Sequence, residues 1–202
     1  MESYKKLVFF LALILVIGQA SYLARQVAAE TTVISYLFRT DYESLNRASV
    51  SIEMIIHDTK IADMYREIIR EESEMFEESL KKTIKIPEGV TITDVTVSYF
   101  NLESEGKPLK ILISFTEEGE LFKKTEDGVY YKEGQLTGVK EGASITYETI
   151  LPEGYTAKNV APEAKIMFEE EKMHLVWERE TTEAETYYFE LTRIQVQDLK
   201  LY

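Results

Sequence analysis

Acid–base or metal chemistry in this sequence would fall to two histidines and 36 carboxylates, because cysteine is absent. The lack of thiols removes cysteine nucleophiles, thiolate-bound zinc and dithiol redox reactions. His57 stands before Asp58 at what reads as a strand-to-helix junction, where an imidazole can act as base or ligand. One histidine seldom makes a site, and the plainer expectation is a partly buried ring bonded to the start of the helix. His174 falls between Met173 and Leu175 on an expected strand and reads as solvent-facing by the two-residue strand period. No His-Glu-x-x-His spacing occurs, so the helix-borne zinc site of metalloproteases is excluded.

Nucleophile and phosphate motifs fail in the same way. There is no Gly-x-Ser-x-Gly turn. Gly134, Gly138 and Gly142 recur every four residues with no Lys-Ser or Lys-Thr pair behind them, which marks a loop and not a phosphate cradle. Carboxylates cluster at Glu169-Glu170-Glu171, an expected hairpin tip, and at Glu71, Glu72, Glu74, Glu77 and Glu78 along an expected helix. Calcium takes carboxylates converging from several directions, so these convex clusters read as solvated charge. Two carboxylates facing across a cleft could hydrolyse a glycoside, but nothing in the spacing places such a pair. Tyr130, Tyr131, Tyr147, Tyr155, Tyr187 and Tyr188 with Trp177 could form a carbohydrate- or protein-binding strip. The competing expectation is cross-strand aromatic packing. No catalytic, cofactor-binding or metal-binding residue is assigned, and no cofactor is expected.

Positioning any of these groups is the task of 202 residues. About 170 remain for one domain after an N-terminal segment, enough to bury roughly 70% of the unfolded surface without disulfide or metal. Thirty Glu and 6 Asp against 16 Lys and 7 Arg give a net charge of −13. Such a surface repels phosphate backbones, so nucleic acid is not expected as a partner. With only three Asn and five Gln beside them, the abundant Glu and Lys match the bias of hyperthermophile proteins, and a thermophilic source is expected.

Lys5 and Lys6 precede eighteen uncharged residues, Leu7 to Ala24. As a helix these span about 27 Å, enough for a bilayer core. The lysines place the short N-terminal tip in the cytoplasm and everything from Arg25 onward outside. Residues 1–30 are therefore expected to be a cytoplasmic tip and single-pass signal anchor of the cell membrane, and residues 31–202 an extracytoplasmic domain. The competing reading is a cleavable signal peptide. The strictly apolar stretch ends at Ile17, Gly18-Gln19-Ala20 has the small-x-small form of a cleavage site, and Val27-Ala28-Ala29 is a second candidate. Continuation of the helical pattern through Ser21-Tyr22-Leu23-Ala24 favours retention. Type IV pilin precursors resemble this layout, but their basic tip is followed by a small residue, and here Leu7 follows Lys6.

Within the exported part, Thr32 to Phe38 reads as a strand or as a continuation of the stalk. Val50, Ile52, Met54 and Ile56 alternate with Ser49, Ser51 and Glu53 as in a half-buried strand. Asp58 and Thr59 are N-cap residues for one long helix over about 59–83. Ile61, Tyr65, Ile68, Ile69, Met75, Phe76 and Leu80 form its apolar stripe, and Pro87 excludes continuation. From about 89 to 202 the period is two. Val90–Ile92 and Val95–Tyr99 fall out of phase across Thr93-Asp94, the mark of a bulge. Leu109, Ile111, Ile113 and Phe115 share a face, and Asp127-Gly128 closes a hairpin between Leu121-Phe122 and Val129–Tyr131. Ile145–Ile150, Lys165–Phe168, Met173–Trp177 and Tyr187–Val196 complete about eight strands. Successive strands without helices between them imply antiparallel sheets, so the expected class is α+β: an N-terminal transmembrane helix, then a sandwich-like β domain with the long amphipathic helix packed on it.

Leu151-Pro152-Glu153-Gly154-Tyr155, a strand, Pro162 and a hairpin ending at Trp177-Glu178 resemble a pattern of membrane-anchored envelope proteins of archaea and some thermophilic bacteria. The resemblance covers about thirty residues. It implies an immunoglobulin-like sandwich and an envelope address, and brings no activity with it. The resulting expectation is a non-catalytic, membrane-anchored cell-envelope protein presenting an acidic β domain to another envelope protein or a surface component. Two alternatives stay open: a cell-surface enzyme using dispersed carboxylates, and a pilin-like filament subunit.

Overall fold

The computed structural model describes residues 33–84, 86–138, 142–179 and 182–194. The expected membrane helix Leu7–Ala24, both candidate cleavage sites and the last residues of the final expected strand lie outside them. Among the described residues no helix is long and apolar enough to cross a membrane. What they form is a β-rich α+β domain with one helix.

The strands in chain order are β1 (Ile34–Ser44), β2 (Arg47–Ile56), β3 (Val90–Phe100), β4 (Leu109–Gly119), β5 (Lys123–Lys124), β6 (Tyr130–Leu136), β7 (Ala143–Ile150), β8 (Tyr155–Ala161), β9 (Lys165–Glu169), β10 (Lys172–Arg179) and β11 (Glu185–Arg193). Helix α1 (Thr59–Thr83) lies between β2 and β3. One sheet has seven strands in the order β3-β4-β2-β1-β7-β10-β9, and the other has four in the order β5-β6-β11-β8. One pair departs from the antiparallel expectation: β1 runs parallel to β7, from Ile34 beside Ala143 to Asp41 beside Ile150. Parallel neighbours need a long crossover. The chain supplies one by building α1 and five strands before β7 returns to β1.

Register decides which side chains face inward. Ile34 lies opposite Ile56, and Ile56 opposite Leu109; further along, Tyr42 lies opposite Ala48, and Ala48 opposite Glu117. Residues two apart share a face. Even positions of β1 and β2 therefore lie with odd positions of β4, β7 and β10. That face is covered twice. Near Ile34, α1 lays Ile61, Ala62, Tyr65, Ile69 and Phe76 over Ile56, Leu109 and Ile111. Near Tyr42, the four-stranded sheet packs Leu136, Phe189 and Leu191 against Leu151, Met173, Leu175 and Trp177. Each fully buried Leu, Ile or Phe contributes about 1.5–3 kcal/mol relative to exposure.

Local chemistry explains most element ends. The Asp58 carboxylate accepts the backbone N–H groups of Lys60 and Ile61 at 2.9 and 3.0 Å, capping α1 as expected. Within α1, Glu72 leaves helical geometry (φ −138°, ψ 43°). The interruption shifts the phase of the stripe: Phe76 stays buried, while Met75, expected beside it, is 42% exposed. The expected bulge appears as a register shift between Thr93 and Thr96, with Asp94 at φ 55°. Leu121 and Phe122, expected as a strand, are instead buried ahead of the two-residue β5. Gly134, expected in a loop, sits inside β6, because the Tyr187 ring occupies the place where a Cβ would stand.

Candidate functional site

The seven-stranded sheet has a second face on which, among the described residues, no helix or strand packs. Strand parity places Arg39, Asp41, Ser49, Ser51, Glu53, Lys110, Ser114, Thr116, Glu148 and His174 there. A shallow depression of about 340 Å³ opens over its centre. Arg39, Asp41, Ser49, Ser51, Ser114 and Thr116 line it together with Asp94, which the β3 bulge swings to the rim.

Ion pairs organise this face. Arg39 Nε is 3.3 Å from one Glu148 oxygen, and His174 Nδ1 is 2.8 Å from the other. Lys172 Nζ donates to Asp41 at 2.7 Å, and Lys110 pairs with Glu53. His174 is 3% exposed, which corrects the expectation of a solvent-facing ring. Strand parity assigned it to the outer face correctly, but it stands between Ile150 on β7 and Met167 on β9, with Glu148 supplying its polar partner. His57 departs in the opposite sense. It is exposed, and its Nε2 lies 2.9 Å from Ser35 Oγ on β1. The start of the helix is bonded by Asp58 instead.

A second cluster lies between the two sheets. Glu117 continues the inward alternation of Leu109, Ile111, Ile113 and Phe115, so β4 carries a carboxylate into the core beside Ala48. Across from it, β6 points Lys132 inward, where Nζ donates to the Leu121 carbonyl at 2.8 Å and lies 5.9 Å from the Tyr42 ring centre. Burial pushes the Glu117 carboxyl up from its ordinary range, and Lys132 pulls it partly back. Burial likewise pushes the Lys132 amine down, against the raising pull of Glu117. The Tyr187 phenol is pushed up to about 12, by burial first and then by Glu117 and Tyr147. Tyr42 is held well above its ordinary value by burial, then by Tyr187 and Glu117. An acid that keeps its proton and an amine that sheds it early are materials for proton transfer, but structural pairs are perturbed in the same way. Lys132 is committed to a backbone carbonyl and an aromatic face, so the cluster reads as a joint between sheets.

The remaining candidates find places away from any shared centre. Glu170 and Glu171 form the β9–β10 turn at φ 49° and 67°. Glu71, Glu72 and Glu74 are exposed on α1, while Glu77 and Glu78 pair with Lys81 and Lys82 one turn on. Among the described residues no three His, Asp or Glu side chains are grouped to hold a metal ion. The aromatic residues meet one another: Tyr131 with Tyr188 at 5.6 Å between ring centres, Trp177 with Tyr187 at 5.5 Å and Phe38 with Tyr147 at 5.0 Å. Trp177 is 3% exposed, and its indole donates to the Pro162 carbonyl at 3.0 Å.

Sequence reasoning passed over Arg66, which is 1% exposed on the inner side of α1. Its signal was positional, since it follows Tyr65 and sits four residues after Ala62 on the stripe that faces the sheet. No family model matches the chain, and no curated protein matches it.

Proposed function

We propose that this protein is a non-catalytic binding module of the cell envelope, held in the membrane by Leu7–Ala24 and presenting its folded domain outside. The observation that carries the binding part is the uncovered face of the seven-stranded sheet, with its depression of about 340 Å³ and its order of paired charges and hydroxyls. A rigid sheet holding polar groups in fixed register suits recognition, because little side-chain freedom remains to be lost on binding. The partner we propose is another envelope protein with a basic contact surface, since the chain carries −13 overall and Asp94 and Asp41 stand at the depression. A dispersed-carboxylate enzyme would draw first on Glu117, the carboxylate that burial pushes up. Its neighbour Lys132 is already engaged with Leu121, which favours the binding reading.

The address is tested by fractionating cells that express the full chain, treating intact cells with protease, and weighing the intact protein. The expected result is a full-length chain in the membrane fraction whose domain is removed by protease added outside. A mass lacking about twenty N-terminal residues would refute the anchor. A protease-protected, cytosolic chain would refute the envelope reading altogether.

A further inference from the structure

Strand β9 is the open edge of the seven-stranded sheet, and it carries two of the most exposed large apolar side chains, Ile166 at 50% and Phe168 at 62%. Register with β10 sets Ile166 opposite Leu175 and Phe168 opposite Met173, so both lie on the inward side of the sheet, beyond the cover of the four-stranded sheet. The Met173 carbonyl accepts the Leu151 N–H at 2.9 Å, on the β7 side. In an antiparallel ladder, a residue whose backbone bonds one neighbour leaves the residue opposite it bonding away from the pair. The N–H and C=O of Phe168 therefore point to the open edge, and by the two-residue period those of Ile166 do too.

The other edges among the described residues are blunted as protein edges usually are. Strand β3 is broken by the shift between Thr93 and Thr96, β8 faces a shift between Tyr188 and Glu190, and β5 has two residues. The register of β9 runs unbroken from Glu169 to Lys165.

We propose that β9 is the seam for a second copy of this chain, pairing antiparallel about a two-fold axis at Met167. The five residues Lys-Ile-Met-Phe-Glu are complementary to themselves in that register. Lys165 meets the partner's Glu169, Ile166 meets the partner's Phe168, and Met167 meets the partner's Met167. The outward backbone groups of Ile166 and Phe168 fall opposite each other and close four hydrogen bonds. Ile166 and Phe168 from both copies gather on one face, and each lysine stands beside a carboxylate. Both seven-stranded sheets become one continuous sheet. Beyond the five residues, Glu163 would meet the partner's Glu171, and their like charges end the pairing there. A seam this short is weaker than a standard protein interface, so the pair forms reversibly in solution. A shared membrane would raise its local concentration.

Because the chain has no cysteine, the seam can be read with single introduced thiols. Directly opposed residues of a non-hydrogen-bonded pair have Cα atoms about 4.5 Å apart, within the roughly 4.4–6.8 Å that a disulfide bridges. The expected result for full-length Met167→Cys under mild oxidation is a disulfide-linked dimer, formed about tenfold faster than from Lys165→Cys alone. A mixture of Lys165→Cys and Glu169→Cys chains should cross-link where neither does so by itself. Sedimentation of the unmodified full chain should show a concentration-dependent dimer that Phe168→Lys abolishes. Equal cross-linking rates at positions 165 and 167, or a monomer at every concentration, would overturn the proposal whether or not the chain is membrane-anchored.

Discussion

Arg66 and Lys107 are 41 positions apart, yet Arg66 Nη2 donates to the Lys107 carbonyl at 2.6 Å. The same guanidinium donates from Nε to the Asn101 carbonyl at 3.0 Å and pairs through Nη1 with Asp63. One turn further along α1, Arg70 donates to the Leu102 carbonyl at 3.1 Å and to Glu103 at 3.0 Å. Asn101, at φ 62°, turns the chain and donates its amide to the Pro108 carbonyl. Two arginines thus fasten the β3–β4 connection to the helix, and through it they fix the β3 edge of the sheet.

Replacing Arg66 with alanine should destabilise the domain by about 3 kcal/mol, because the Asn101 and Lys107 carbonyls lose a buried charged donor. Arg66→Lys should recover little, since an ammonium cannot reproduce the planar fork. Urea unfolding measures the cost, and hydrogen exchange should quicken first over residues 101–107. A midpoint unchanged from the parent would contradict the clamp.

Glu117 makes stability depend on pH in a direction that can be worked out. Its folded carboxyl is held above the unfolded value, so its contribution is fully present below the ordinary carboxylate range and is lost as pH rises through the folded value. Glu117→Gln removes that loss. Relative to the parent, the variant should gain stability as pH rises above the ordinary carboxylate range, as read from unfolding curves at each pH. A parallel pair of pH profiles would show that Glu117 is not desolvated.

The buried phenols make an alkaline counterpart. Tyr65, Tyr99 and Tyr187 are pushed up to about 12, each chiefly by burial, and Tyr42 is held well above its ordinary value. Ultraviolet titration should show a late phase from these phenols. A raised phenol stabilises the fold below its unfolded value near 10 and ceases to do so as pH climbs, so the late phase should coincide with unfolding. Tyr187→Phe should shrink the late phase; an unchanged amplitude would contradict its burial between the sheets.

Gly134→Ala tests the joint from the other side. The added Cβ would stand 2.5 Å from the Tyr187 ring. Thermal unfolding should register a loss of about 2 kcal/mol. Trimming the ring as well, in a Gly134→Ala, Tyr187→Ala double variant, should cost less than the sum of the single changes. Strict additivity would mean that the ring does not rest on the glycine.

Reading the sequence succeeded where a pattern is local. Asp58 capping a helix, the bulge at Thr93-Asp94 and the glutamate turn between β9 and β10 are all decided within a few residues. It failed where neighbours distant in the chain decide. Nothing near Tyr36 shows that β1 will lie parallel to β7, and nothing near His174 shows that Ile150 and Met167 will flank it. Gly134 looked like loop punctuation because its reason, the Tyr187 ring, lies on another strand. Glu117 and Arg66 lie within reach of parity and helical phase, since Glu117 continues the alternation of Leu109 to Phe115 and Arg66 stands four residues after Ala62. The outer face could not be seen as a surface until α1 and the small sheet were both known to cover the other side.

Site-specific photo-crosslinking on intact cells tests the binding face most directly. A photoreactive residue at Ser114 or Ser51, inside the depression, should give the same discrete adduct in the membrane fraction. A probe at Glu74, exposed on α1, should give none. Silence from both serines, or equal adduct yield from Glu74, would contradict recognition through the uncovered face of the sheet.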